Sequence, residues 1–295
     1  MADMVFSSDL QHLIRHNEPL APLTWLQIGG PAKYFAEPNS LDELAELIAE
    51  AHQAKIPVRI LGGGSNLLCR EAGVDGLVLS LATAELSQIH IHDHRLVARA
   101  GAKFHHVISA AVGAGLAGLE HLAGIPGTLG GAVVSNAGVT NDDIGSHVLR
   151  LTLIDRHGQL QQLDRDQLQF GFRRSNLEDM YLVEVEMNLE PADPVELTRR
   201  MQTNWIVKRS SQPPSGTRTV QAFIEPDGTS LAEVLELAGM RSVVDGEVAL
   251  CGQYPGYLTV AGEATSEQVL ALLERVTRAV EIRSGIQLQS PLKIW

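Results

Sequence analysis

Cysteine is nearly absent. The 295-residue chain has two, Cys69 and Cys251, and neither lies in a CxxC pair. That excludes a disulfide framework and a thiolate metal centre as organising features. Positive charge is also in the minority: 23 Lys and Arg stand against 35 Asp and Glu, a net charge of −12. An acidic surface repels phosphate backbones, so a nucleic-acid partner is not expected. The opening MADMVFSSDLQHLIRH has no basic region followed by an apolar run, so it does not read as a signal peptide. No run of 18 apolar residues occurs, and the Ala/Gly-rich stretch around Ile108–Gly118 is too short to span a bilayer. A cytoplasmic protein without membrane partners, acting as a monomer, is the default expectation. Internal repeats and low-complexity tracts are missing. The eleven histidines show no HExxH pattern, and no metal site is expected. His90, His92 and His94 alternate as on a solvated strand edge, and His105-His106 read as a helix start.

What is present is an ordinary globular composition, 44% apolar and 20% charged. Residues 1–19 read as a helical lead-in. Apolar positions at Leu41, Leu44, Leu47, Ile48 and Ala51 predict a helix over 41–54, capped by Asn39 or Ser40. Val58–Leu61 reads as a buried strand and Val74–Leu81 as another. Further strands are expected at Arg95–Ala100, Val148–Asp155 and Leu182–Leu189, with a hairpin at His157-Gly158. A helix over His105–Ala114 should end at Gly115. The last helix, Ser266–Ser284, should bury Val269, Leu272, Leu273, Val276 and Val280 and stop at Gly285. The expected division is a lead-in at 1–19, segments at 20–81 and 82–194, and a C-terminal segment at 195–295.

Three glycine clusters carry the chemistry: Gly29-Gly30, Gly62-Gly63-Gly64-Ser65-Asn66, and the run Gly124-Ile125-Pro126-Gly127-Thr128-Leu129-Gly130-Gly131. Glycine lets backbone N–H groups approach a ligand closely, and successive N–H groups make an anion-binding concavity. Ser65, Asn66 and Thr128 add side-chain donors. The pattern is neither GxGxxG opening a long helix nor GxxxxGK[ST], which disfavours a Rossmann or P-loop site. The residues themselves point to a phosphate-bearing cofactor held in a different way. Cys69, after an apolar pair beside the second cluster, reads as buried filling.

The stretches TWLQIGGPAKYF, ILGGGSNLL, GLEHLAGIPGTLGGAVVSNAG and FGFRRSN closely resemble those of the UDP-N-acetylenolpyruvylglucosamine reductases. The likeness runs from about Thr24 to the C-terminus. It implies an α+β chain: a two-subdomain FAD-binding fold of the vanillyl-alcohol-oxidase-like (PCMH) type, followed by a C-terminal α/β substrate domain. It implies FAD as cofactor, NADPH as reductant and a UDP-sugar as substrate. By the same resemblance Gly62, Gly63, Gly64, Ser65, Asn66 and Leu67 wrap the FAD diphosphate. Ile125, Pro126, Gly127, Thr128, Gly130 and Gly131 form the second flavin loop, and Asn136, Ala137 and Gly138 lie at the flavin ring. Arg173 is the catalytic arginine at the substrate carboxylate, a role that suits its planar fork. Ser175 and Lys208 are substrate-binding. The short connection from Ser175 to the strand near Leu182 matches family members without a substrate-capping loop.

The C-terminal segment departs from the pattern. Gln221 stands where the family has its proton-donating serine, and Pro291 where it has a catalytic glutamate, with Gln289 in place of another glutamate. Where the family has a His-Ala-Asn-Phe-type stretch, this chain reads Gln253-Tyr254-Pro255-Gly256-Tyr257-Leu258. Glutamine donates hydrogen bonds but surrenders no proton at neutral pH. Ser210, Ser211, Ser215, Thr217, Thr219, Tyr254 and Tyr257 are alternative proton sources, and the sequence selects none of them. Three readings therefore stand: the family's reductase, a flavin- and nucleotide-binding paralogue without turnover, or a flavin oxidoreductase with another substrate.

Overall fold

Strand alternation and turn residues build the first sheet. A computed structural model describes residues 5–139, 142–177 and 180–295. Strands β1 (Arg15–Pro19), β2 (Pro31–Ala36), β3 (Val58–Leu61) and β4 (Val74–Ser80) are ordered β1-β2-β4-β3. Helix α1 (Leu41–Gln53) starts where Ser40 Oγ accepts from the Glu43 N–H at 3.1 Å, and it buries Leu44, Leu47, Ile48 and Ala51. Strand β4 is central and reads as a nearly continuous apolar run, as burial on both faces requires.

A second, antiparallel sheet comprises β5 (Ile89–His92), β6 (Arg95–Arg99), β7 (Val148–Ile154), β8 (Leu160–Asp164) and β9 (Tyr181–Asn188), ordered β8-β7-β9-β6-β5. The hairpin joining β7 to β8 turns at Gly158, whose φ of +78° excludes most side chains. Helices α2 (Phe104–Gly113) and α3 (Leu129–Val134) contribute Phe104, Val107, Ile108, Leu129 and Val133 to one apolar core shared with both sheets and α1. Helix α4 spans Pro194–Ser210.

The C-terminal part has its own sheet, β10 (Thr219–Gln221), β11 (Val244–Asp245), β12 (Val248–Leu250) and β13 (Tyr257–Val260), ordered β10-β13-β12-β11. Helices α5 (Leu231–Leu237) and α6 (Ser266–Ser284) pack on it through a second core. Helix α6 has a capping box of Thr265 and Gln268, ends at Gly285 with φ +73°, and buries the expected stripe. The chain divides into two compact units. Residues up to Asn17, 33–63 and 75–208 form the first; residues 18–32, 64–74 and 209–295 form the second.

Two expectations are corrected. Among its described residues the lead-in forms no α-helix: a single 3-10 turn at Gln11–Leu13 is followed by strand β1, with Asn17 at φ +52°. A helix this short is marginal alone, and pairing onto β2 satisfies more backbone groups. Strand β3 is not buried throughout; only Leu61 is, because β3 lies at the sheet edge. The histidines 90 and 92 are exposed on the edge strand β5, as read from their alternation. The connection from Ser175 towards β9 lies partly outside the described residues.

Candidate functional site

The two longer glycine clusters converge within the first unit. A Cβ on Gly63 would stand 2.7 Å from Gly127 Cα, and one on Gly62 would stand 2.8 Å from Thr128 Oγ1. Neither position has room for a side chain, yet Gly62 and Gly63 are both exposed. Backbone packed this closely on one side and open on the other presents its N–H groups to a ligand. Thr128 caps α3, its Oγ1 accepting from the Gly131 N–H at 3.4 Å. Ile125 packs on the core and Ala137 is buried. They shape the loop rather than offer polar groups.

In the second unit the 64–68 segment continues the first of these clusters. Gly64 has φ +62° and touches the Leu23 carbonyl so closely that a Cβ would stand 2.1 Å from it. The short strand Leu67–Leu68 pairs in parallel with Lys293–Ile294. Asn66 Nδ2 donates to the Pro291 carbonyl, and the Lys293 N–H donates to the Asn66 carbonyl at 3.0 Å. Asn66 Oδ1 is buried and has no hydrogen-bond partner among the described residues. A buried acceptor of this kind calls for a donor, which a ligand hydroxyl or amino group supplies. Cys69 is fully buried against Gly29, consistent with filling rather than reactivity.

The Arg173 hairpin also belongs to the first unit. Phe170–Gly171 pairs with Arg174–Ser175, leaving Phe172 and Arg173 at the turn. Arg173 takes φ +56°, a conformation that costs a non-glycine residue about 1–3 kcal/mol. This bend separates two neighbours that look alike in sequence: Arg173 is half-buried, while Arg174 is exposed and folds back over Gly171. Near the C-terminal end of α4, Lys208 packs its stem on Gly124. Burial and the nearby Arg173 guanidinium push the Lys208 ammonium below its ordinary value. Two cations held together and partly desolvated form a receptor for an anion.

Asn136 holds this region in register. It is buried, with φ +43°. Its Nδ2 donates to Asp143 Oδ2 and to the Gly171 carbonyl, both at 2.9 Å, and its Oδ1 accepts from the Gly145 N–H at 3.0 Å. The side chain is therefore engaged in joining three loops, one of which carries Arg173. Ser175 is engaged similarly: its Oγ donates to the Val134 carbonyl at 2.6 Å, tying the hairpin to α3. The partners Asp143, Gly145 and Gly171 had no signal in the sequence, since their spacing from Asn136 is set by the fold. Gln221 lies in the second unit, on β10, where its Nε2 donates to the Phe223 carbonyl at 3.4 Å. Pro291 lies beside Asn66. Among the described residues no group of His, Cys, Asp or Glu is arranged to hold a metal, and no helix is long and apolar enough to cross a membrane.

Within the first unit, two convergent glycine loops without a Rossmann turn, with two cations nearby, fit the flavoprotein class. Residues 32–164 match the FAD binding domain family, and residues 212–295 match the UDP-N-acetylenolpyruvoylglucosamine reductase C-terminal domain. The chain is 42% identical over 98% of its length to the UDP-N-acetylenolpyruvoylglucosamine reductase of Rhodopirellula baltica, covering 95% of that protein. It is 32% identical over 95% of its length to the enzyme of that name from Lactiplantibacillus plantarum, covering 93% of it. The crystal structure of UDP-N-acetylenolpyruvylglucosamine reductase from Thermus caldophilus superposes with a TM-score of 0.78 at 26% identity, covering 96% of this chain and 99% of that one. The chain belongs to the UDP-N-acetylenolpyruvoylglucosamine reductase family and carries the FAD-binding fold of the PCMH type with that family's C-terminal domain.

Proposed function

We propose that this protein reduces UDP-N-acetylenolpyruvylglucosamine to UDP-N-acetylmuramate in peptidoglycan synthesis, with FAD as resident cofactor and NADPH as reductant. The observation that carries this reading is the continuous match to enzymes of that name across both the flavin-binding and the C-terminal parts. FAD, when bound, supplies hydride transfer from NADPH to the substrate's enol ether. The chain's residues do the rest. The loops around Gly62–Leu67 and Ile125–Gly131 hold the cofactor; Asn136, Ala137 and Gly138 shape the part beside its ring. Arg173 binds the substrate carboxylate and stabilises the negative charge that develops next to it. Lys208 adds a second positive charge for the anionic substrate. Ser175 fixes the Arg173 hairpin. The reading retains the two flavin-binding subdomains at 20–81 and 82–194, the substrate domain at 195–295, and a monomeric cytoplasmic enzyme.

The test is spectroscopic. Purified protein should show flavin absorbance that NADPH bleaches and that the nucleotide sugar restores. Flavin-loaded protein that never oxidises NADPH in response to that substrate overturns the reading. A second reading, a flavin-binding paralogue without turnover, is favoured by Gln221 and Pro291. It predicts flavin absorbance and substrate binding with no restoration of colour.

A further inference from the structure

The glycine loops carry no formal positive charge. Residues 61–69 and 124–138 contain neither Lys nor Arg, and the chain as a whole stands at −12. The anionic part of FAD is its diphosphate, and backbone N–H groups supply only partial charges to hold it. A full positive charge at the diphosphate therefore comes from a neighbouring segment.

Within the first unit, residues 100–103 run antiparallel along the second glycine loop. The Phe104 N–H donates to the Gly127 carbonyl at 3.0 Å, and the Leu129 N–H donates to the Ala102 carbonyl at 2.8 Å. One residue further along, the Gly130 N–H donates to the Ala100 carbonyl at 2.8 Å. The first two bonds bracket Lys103 and Thr128, which pair as an antiparallel bridge. The two residues exchange no backbone bond themselves. That is the closer kind of antiparallel pair, with Cα atoms about 4.5 Å apart and both side chains on one face. Alternation assigns the faces. Ala102, Phe104 and Leu129 are buried in the first unit's core. Lys103 and Thr128 point the other way, Lys103 exposed and Thr128 half-buried.

Thr128 locates the glycine cradle on that same face. Its Oγ1 is the atom that a Cβ on Gly62 would meet at 2.8 Å, and its neighbour Gly127 is what a Cβ on Gly63 would meet at 2.7 Å. Lys103 thus starts one cross-strand spacing from Thr128, on the open side of the loops. Its flexible four-carbon stem is longer than that spacing, so the ammonium reaches an anion cradled beside Thr128.

We infer that Lys103 supplies the positive charge that holds the FAD diphosphate. The inference rests on FAD as the resident cofactor and is independent of turnover. A lysine ammonium is a point charge with rotatable donors, which suits an anion with many oxygens. The attraction is partly solvated, so salt screens it. It sets how tightly the cofactor is kept, not the rate of hydride transfer.

The test uses the full-length protein, unaltered and as Lys103→Gln and Lys103→Arg. Position 103 is exposed and the bridge bonds are made by its neighbours' backbone, so both variants should keep the fold. Flavin is stripped, and the dissociation constants of FAD and of riboflavin, which has no phosphate, are measured by ultrafiltration. In about 20 mM NaCl, Lys103→Gln should bind FAD about tenfold more weakly and riboflavin within about twofold of the unaltered protein. In about 500 mM NaCl the difference for FAD should shrink below about threefold. Lys103→Arg keeps the charge and should stay close to the unaltered protein in both salts. A loss of FAD affinity below threefold in low salt overturns the inference. Equal weakening of FAD and riboflavin makes Lys103 a residue that shapes the loop, and overturns it too. A raised KM for NADPH with unchanged FAD affinity assigns the charge to the NADPH phosphate and has the same consequence. Unaltered protein that binds no FAD overturns the cofactor reading and the inference together. Protein that binds FAD through Lys103 but never turns over overturns the reductase reading alone.

Discussion

At the scale of single residues, Asn136 and Arg173 are coupled through one carbonyl. Asn136 grips Gly171, and the two-residue turn after Gly171 aims Arg173 inward. Asn136→Ala leaves the Gly145 N–H and the Gly171 carbonyl without their partner and places alanine at φ +43°, which asparagine tolerates far better. The expected loss is about 1–3 kcal/mol of stability, read as a lowered urea midpoint, with a further fall in kcat as the Arg173 turn loosens. Arg173→Lys keeps the charge but removes the planar fork. Turnover should fall about 10²–10³-fold with flavin content unchanged. Loss of flavin together with turnover would show that Arg173 serves the cofactor loop instead.

At the scale of elements, the loops depend on backbone contact that no side chain can replace. Gly63→Ala inserts a methyl 2.7 Å from Gly127 Cα and must separate the two loops. Flavin affinity should fall at least tenfold, about 1.4 kcal/mol, while the far-ultraviolet circular dichroism is unchanged. Helix α6 depends on a carboxylate instead. Burial pushes the Glu71 carboxyl up, but hydrogen bonds from the Ser266 N–H and Oγ outweigh this and hold it below its ordinary value. The anion sits at the first turn of α6, where the helix dipole favours it. Glu71→Gln should destabilise the protein by about 0.5–1.5 kcal/mol at pH 7, a figure kept small by the exposure of Glu71, and by progressively less as pH falls below the ordinary carboxylate range and the folded-state carboxylate takes up its proton. Equal losses at neutral and acid pH would remove the charge from the explanation.

At the scale of the whole molecule, three histidines make stability fall on the acid side of neutrality. His52, His105 and His147 all have pKa values lowered by burial first; His147 is further opposed by His121, although Asp142, Glu120 and Asp143 act the other way. A histidine with a lowered folded pKa binds its proton more readily when unfolded. The fold is thus favoured above the ordinary histidine range, and that advantage is lost as pH falls through about 6.5 and below. Tm should decline between pH 7 and 5, before the carboxylates titrate, and His147→Gln should flatten that decline. Flavin binds only the folded chain, so saturating FAD should raise Tm at every pH, by about 2.7 kcal/mol of stability at one hundred times its dissociation constant.

Much of the architecture was legible from local pattern. The α1 and α6 stripes, the Gly158 and Gly285 turns and the strands of the second sheet follow from periodicity and glycine placement, because these are decided within a few residues of chain. The glycine loops pointed to a phosphate-bearing cofactor for the same reason, and the long matching stretches identified FAD. Tertiary structure decided what neighbouring residues do when their sequence context is alike. It turned Arg173 inward and Arg174 outward, committed Asn136 and Ser175 to holding loops, and made an edge strand of the lead-in. It also set Tyr257 opposite Gln221 on neighbouring strands. Cross-strand register and turn conformation join residues far apart in the chain, and no local pattern encodes that distance.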